Sequence, residues 1–167
     1  MTSIELDFSA ASGDDAEALS RDRIPVRSMT EADLPAIIAT DSKITGRDRS
    51  AYCRDKLAEV LNESGVRVSL VAEIDGQFAG FVMARVDYGD FGRANPVAVI
   101  DTIGVLPLFT HRGVGRALIS QLMVNLSSLR VERVKTQVSW DELPLASFLH
   151  GLGFTPSQRL SFIRRLA

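Results

Sequence analysis

The sequence predicts an α/β fold: one domain with a mixed central sheet and the element order β-α-α-β-β-β-α-β-α-β. Three observations carry this. Residues 101–120 read as a buried strand, a short loop with two spaced glycines, Gly113 and Gly115, and an amphipathic helix. Two β-rich runs, 66–74 and 77–86, meet at Asp75-Gly76, the dipeptide suited to a two-residue type I′ turn. A later strand, 131–138, leads through Trp140-Asp-Glu into a helix that closes on Leu-Gly-Phe at 152–154.

The elements follow in order. Residues 24–28 read as a first strand. Thr30-Glu-Ala-Asp33 starts a helix, with Thr30 as the cap and Asp33 completing a capping-box-like pair ahead of Leu34, Ile37 and Ile38. A second helix spans about 47–61, with Tyr52, Leu57, Val60 and Leu61 as its apolar residues. After the hairpin, residues 97–105 are rich in Val and Ile, as a strand covered on both faces requires. Val114, Leu118, Ile119, Leu122, Met123 and Leu126 then recur at helical spacing, with Arg116, Ser120, Gln121 and Asn125 on the opposite side. Gly153 is the left-handed residue that stops the last helix.

The strand–glycine–helix junction has the chemistry of an anion cradle. Glycines let the backbone approach a ligand closely, and a helix that opens there directs unpaired N–H groups and its positive dipole end at it. The spacing is not the dinucleotide fingerprint, which needs a third glycine and an acidic residue after the next strand. Nor is it a Walker A loop, for no Gly-Lys-Ser/Thr follows. A tight turn with a close helix contact is the other reading of the glycines alone.

Composition bounds the rest. With 167 residues, 46% of them hydrophobic, the chain can build one substantial core. Residues 1–23 carry scattered acidic and small residues without periodicity and read as a flexible acidic extension, which leaves 24–167 as the domain. A formal net charge of −2 and no dense Lys/Arg stripe argue against nucleic acid as a partner. Arg159, Arg164 and Arg165 read as a solvated strand edge. No segment has the apolar length of a membrane span or the layout of a signal peptide, so a cytoplasmic location is the default. The single cysteine, Cys53, and two histidines without ligand spacing assign no metal, and Cys53 reads as a small packed side chain.

The pattern around the glycines resembles the GNAT superfamily of acetyl-CoA-dependent N-acetyltransferases. Ile103-Gly-Val-Leu-Pro107 matches the end of that family's central strand, and Gly113-Val-Gly115 with Arg116-Ala-Leu-Ile119 matches its cradle and helix. In the register set by Pro107, Thr110 stands where the family has Gln or Arg. A second register, Arg112-x-x-Gly115-x-Ala117, also fits the short formula. The closing Leu-Gly-Phe resembles the family's final helix and turn, and the likeness extends over roughly residues 24–165.

That resemblance implies an acetyl-CoA cofactor in a cleft where two strands splay apart, and direct attack by a primary amine in a ternary complex. It implies cofactor contacts from Ile103, Gly104 and Val105 on the strand, and from His111, Arg112, Gly113, Val114, Gly115, Arg116 and Ala117 at the helix. Trp140 and Asp141 follow at the last helix, where Asp141 or Glu142 replaces the family's Asn. Trp140 reads either as a wall of the cofactor tunnel or as a core or hinge-packing residue. The Val105 N–H is the expected oxyanion donor and Gly104 reads as a bulge or a packing glycine. Asp101 is the candidate base, since strict alternation puts it on the face of Ile103 and Val105; fixing a loop or binding substrate is its other reading. Leu149 occupies the position of the family's usual tyrosine, so either Tyr88 or another group fills in from a loop, or water protonates the thiolate. Arg47, Arg49, Tyr52, Tyr88, Asp90, Phe91 and Arg93 lie on the expected acceptor side. The expected partner is a small-molecule or peptide amine, with a homodimer left open as the assembly. A catalytically weak CoA-binding regulatory module is the alternative function.

Overall fold

The computed structural model describes residues 23–63, 66–88 and 95–166. The expected acidic extension, residues 1–23, lies outside the described residues save for Arg23. The chain divides into two compact units after Thr136.

The first unit holds a five-stranded sheet in the order β1 to β5: β1 Val26–Ser28, β2 Leu70–Ile74, β3 Gln77–Asp87, β4 Val97–Val105 and β5 Arg133–Thr136. The first four are antiparallel to their neighbours, and β5 runs parallel to β4. Three helices accompany them: α1 Leu34–Thr45, α2 Ser50–Ala58, which widens into a π-turn over Glu59–Glu63, and α3 Val114–Ser128. The mixed α/β sheet is therefore as predicted.

Local chemistry explains the element ends. Asp75 and Gly76 take φ 52° and 74°, the paired positive values that a type I′ turn needs. The Thr30 N–H donates to Asp33 Oδ2 at 2.8 Å, and the Arg27 guanidinium donates to both Asp33 oxygens at 2.7 and 2.9 Å. The predicted capping box is present and is braced by Arg27 from β1.

The sheet is covered on two faces. A β-carbon on Gly104 would meet Phe81 and Ile44 of α1, whereas one on Gly80 would meet Val114 of α3. Facing α1 and α2 is a core of Met29, Ile37, Cys53, Leu57, Val60, Leu61, Val71, Phe81 and Met83. On α3, Val114, Leu118, Leu122 and Leu126 are buried at helical spacing, each large side chain contributing about 1.5–3 kcal/mol of burial energy.

The second unit contains one helix, α4 Leu143–Gly151. Its end is a Schellman turn: Phe154 N–H donates to the Leu149 carbonyl, Gly153 N–H donates to that of His150, and Gly153 takes φ 88° as predicted. The strand expected after this helix is not formed. Residues 155–166 adopt neither helix nor strand, and Leu160, Phe162 and Ile163 are exposed. Their composition favours a strand, but a strand exists only through a ladder partner, and these residues have none among the described ones.

Candidate active site

The site is built around an irregularity in β4. Met83 pairs with Thr102 and Ala84 with Ile100, so Asp101 is a surplus residue on β4, a β-bulge. Two hydrogen bonds reveal its effect on the main chain. Thr136 Oγ1 donates to the Ile100 carbonyl at 3.0 Å, so Ile100 faces β5. The Leu106 N–H donates to the Ala79 carbonyl at 2.9 Å, so Leu106 faces β3. Counting back in twos from Leu106, residues 104 and 102 also face β3, and 105 and 103 face the side of β5. The bulge shifts the parity by one and turns the peptide groups of Ile103 and Val105 outward.

On that side they have no ladder partner among the described residues. The β4–β5 register covers only Val97–Ile100 against Arg133–Thr136. Over 101–105 the edge of β4 is thus open, with N–H and C=O groups of alternate residues available to an added strand-like ligand.

Beyond the strand, Pro107–Phe109 make a 3-10 turn whose Pro107 carbonyl accepts a bond from Thr110 Oγ1 at 2.8 Å. Thr110 therefore spends its side chain within the turn. Arg112 lies over the Phe109 ring at 5.5 Å. His111 and Gly113 take φ 61° and 85°, and Gly113 is the N-cap of α3 with no side-chain bond to the helix. The first-turn amides of Val114, Gly115 and Arg116 therefore have neither an intrahelical acceptor nor a capping side chain. The donor set, open strand amides leading to an uncapped helix N-terminus between Arg112 and Arg116, fits a ligand with an amide-bearing arm and a pyrophosphate.

The bulge also decides where Asp101 points, and it corrects the strict-alternation reading. Gly104 faces α1, and its partner Phe81 belongs to the α1–α2 core. Val105 pairs with Gly80, which faces α3. Asp101, however, pairs with Lys56 of α2 at 3.7 Å and Arg85 of β3 at 3.2 Å. Its carboxylate is thus on the α1–α2 face, opposite the side chains of Ile103 and Val105. Gly104 is in regular register with Phe81, and its β-carbon would stand 2.7 Å from that ring, so it is the packing glycine and the bulge lies three residues earlier.

Asp101 is one corner of a closed ring of alternating charge. Lys56 holds Glu59 at 2.5 Å, Arg85 lies 3.5 Å from Glu59, and Asp101 closes the ring to both cations. Burial pulls the Lys56 pKa down, but the Glu59 hydrogen bond and the field of Asp101 outweigh it, so its pKa is raised. Asp101 Oδ2 is buried without a hydrogen bond, since its contact with Arg85 is misaligned for one. Lys56, Glu59 and Arg85 are not among the sequence candidates, because the ring they form with Asp101 draws on three elements, the α2 segment, β3 and β4. The bulge itself has a faint signal: Asp101-Thr102 is a polar pair inside an otherwise apolar run.

Other candidates fall elsewhere. Tyr88 follows β3, whose Asp87 pairs with Val97, eight residues before Val105, so the structure keeps it about 25 Å along the strand from Val105. Arg49 stacks on Tyr52 at 4.3 Å and pairs loosely with buried Asp41 at 3.6 Å, while Arg47 is exposed. Asp90, Phe91 and Arg93 lie outside the described residues. Trp140 is 97% exposed, which overturns its reading as a core residue; neighbouring Asp141 is exposed in the turn before α4, and Leu149 is buried. Cys53 is buried, in keeping with its reading as a small packed side chain, and burial pushes its thiol pKa up.

Comparison with known proteins agrees with this architecture. The model of the acetyltransferase (GNAT) family matches residues 34–154. An aminoglycoside N-acetyltransferase solved in complex with CoA superposes with a TM-score of 0.70 at 23% identity, covering 86% of this chain and 95% of that one. An aminoglycoside 6′-N-acetyltransferase from Acinetobacter haemolyticus gives 0.69 at 21%, covering 85% and 98%. A transcriptional regulator from Bacillus halodurans gives 0.71 at 14%, covering 85% and 99%. No curated protein matches the sequence.

Proposed function

This chain belongs to the GNAT acetyltransferase family, and from that premise we propose that it moves an acetyl group from acetyl-CoA to a primary amine by direct attack in a ternary complex. The observation that carries the reading is the pairing of two donor sets without partners among the described residues, the outward peptide groups of Ile103 and Val105 and the uncapped start of α3. The pyrophosphate would lie on the amides of residues 113–116, with Arg112 and Arg116 flanking it. The pantetheine arm would add to the open edge of β4 as a strand does. Bound acetyl-CoA supplies an activated acyl group with a thiolate leaving group.

The chain's own residues then divide the work. Asp101 accepts an N–H of the acceptor and assists its deprotonation, directly or through water, which an alkylamine of pKa near ~10 requires at neutral pH. Ile103 lies about 7 Å along the strand from Asp101, and Val105 about 13 Å. The Ile103 N–H is therefore the better-placed donor to the developing oxyanion, and Val105 holds the arm. With Leu149 apolar and Tyr88 remote from Val105, water protonates the departing thiolate. The acceptor approaches from the α1–α2 face and is a small-molecule or peptide amine. Several structural neighbours carry aminoglycoside acetyltransferase names, which supports a small-molecule amine.

Calorimetric titration with CoA tests the site. Gly115→Leu should abolish measurable binding while the variant still unfolds cooperatively. Unchanged affinity in a folded variant would remove the cradle assignment.

A further inference from the structure

We propose that Glu59 is a positioning residue for the acceptor site: it holds the Lys56 ammonium away from Asp101 and so leaves Asp101 Oδ1 for the incoming N–H. The proposal rests on Asp101 meeting the acceptor, as inferred above.

Three observations carry it. The two oxygens of Asp101 are not equivalent. Oδ2 is buried against Arg85, so Oδ1 is the oxygen through which this partly exposed side chain can meet a ligand. The Lys56 ammonium stands 3.7 Å from Oδ1, beyond hydrogen-bonding distance, while it sits 2.5 Å from Glu59 Oε2. Finally, Glu59 begins the π-turn after α2, one helical turn beyond Lys56, and its other oxygen lies 3.5 Å from Arg85. Glu59 thus draws on both cations that flank Asp101.

Among the described residues, the charged groups facing this point are Lys56 and Glu59 from the α2 segment, Arg85 from β3 and Asp101 from β4, with Tyr52 contributing to the field at Lys56. Without the Glu59 charge, the strongest partner left to Lys56 is Asp101. The ammonium would close onto Oδ1 and occupy the place of the acceptor's N–H.

The test is a double-mutant comparison with the amine that releases CoA thiol fastest in a screen. Glu59→Gln should lower kcat/KM for that amine about tenfold while leaving CoA affinity within about twofold. Combining it with Lys56→Met should restore kcat/KM to within about threefold of wild type, because the intruding cation is gone. Glu59→Asp, which keeps the charge but withdraws it, should fall between and serves if the Gln variant is unstable. A double variant as slow as the single one, or a Glu59→Gln enzyme at the wild-type rate, overturns the proposal. Asp101→Asn at the wild-type rate would instead overturn the reading of Asp101 on which it rests.

Discussion

Gly80 and Gly104 approach so closely across β3 and β4 that a β-carbon on Gly80 would stand 2.8 Å from the Gly104 carbonyl oxygen. The same carbon would stand 3.0 Å from Cγ1 of Val114, the first residue of α3. Gly80→Ala therefore pushes on the strand that carries the open edge and on the helix start that carries the cradle. We expect it to destabilise the fold by about 1–3 kcal/mol, as overpacking does, and to weaken CoA binding as well. Urea unfolding and calorimetry measure the two effects. A variant of native stability would show that β3 and β4 can part at no cost.

Asp101→Asn keeps the shape of the bulge and removes the charge. Turnover of an identified amine should fall by about 10²-fold with CoA affinity preserved. Free-thiol release across pH 6 to 9 checks it. A wild-type rate throughout would make Asp101 a structural member of the ion-pair ring.

Asp33 makes stability depend on pH. Its burial raises the carboxyl pKa, but the bonds from Arg27 and the Thr30 N–H outweigh this, so the folded-state pKa lies below the ordinary value. A depressed folded pKa gives stability that is fully present above the unfolded pKa, ~3.9, and is lost as pH falls through the folded value. Asp33→Asn should cost about 1–2 kcal/mol at pH 7 and at pH 5, from the weakened cap and the lost Arg27 pair. The difference from wild type should shrink as pH drops below ~3.9. An equal cost at every pH would assign the effect to shape alone.

What the sequence made legible were features written in a few neighbouring residues. Asp75-Gly76 and Gly153 each mark a left-handed backbone position, and each is found there. The apolar spacing of Val114 to Leu126 needs no partner to be read. The bulge at Asp101 was hidden because it is a property of the register between β3 and β4, and alternation carried across it assigns the wrong face. The ion-pair ring was hidden for a related reason: Lys56, Arg85 and Asp101 are brought together only by packing α2 on the sheet. The terminal strand was over-read, since 155–166 has a strand's composition without a strand's partner.

Ser69 shows how the bulged segment is tethered. Its hydroxyl accepts the Ala84 N–H and donates to the Ala84 carbonyl, both at 3.0 Å, just before β2 begins and where the β3–β4 register shifts. β3 is thereby pinned from one side while β4 carries its surplus residue on the other. The consequence is that β4 is more sensitive to its length than to its spelling. A substitution at Thr102 can be absorbed by its neighbours. Removing Asp101 itself would only close the bulge, since Ala84–Ile100 and Met83–Thr102 would become consecutive pairs and the later faces would stand; removing a residue after it would act as a frame error in space, every later residue exchanging faces. Insertions and deletions in this nine-residue strand should therefore be far rarer among functional variants than point changes.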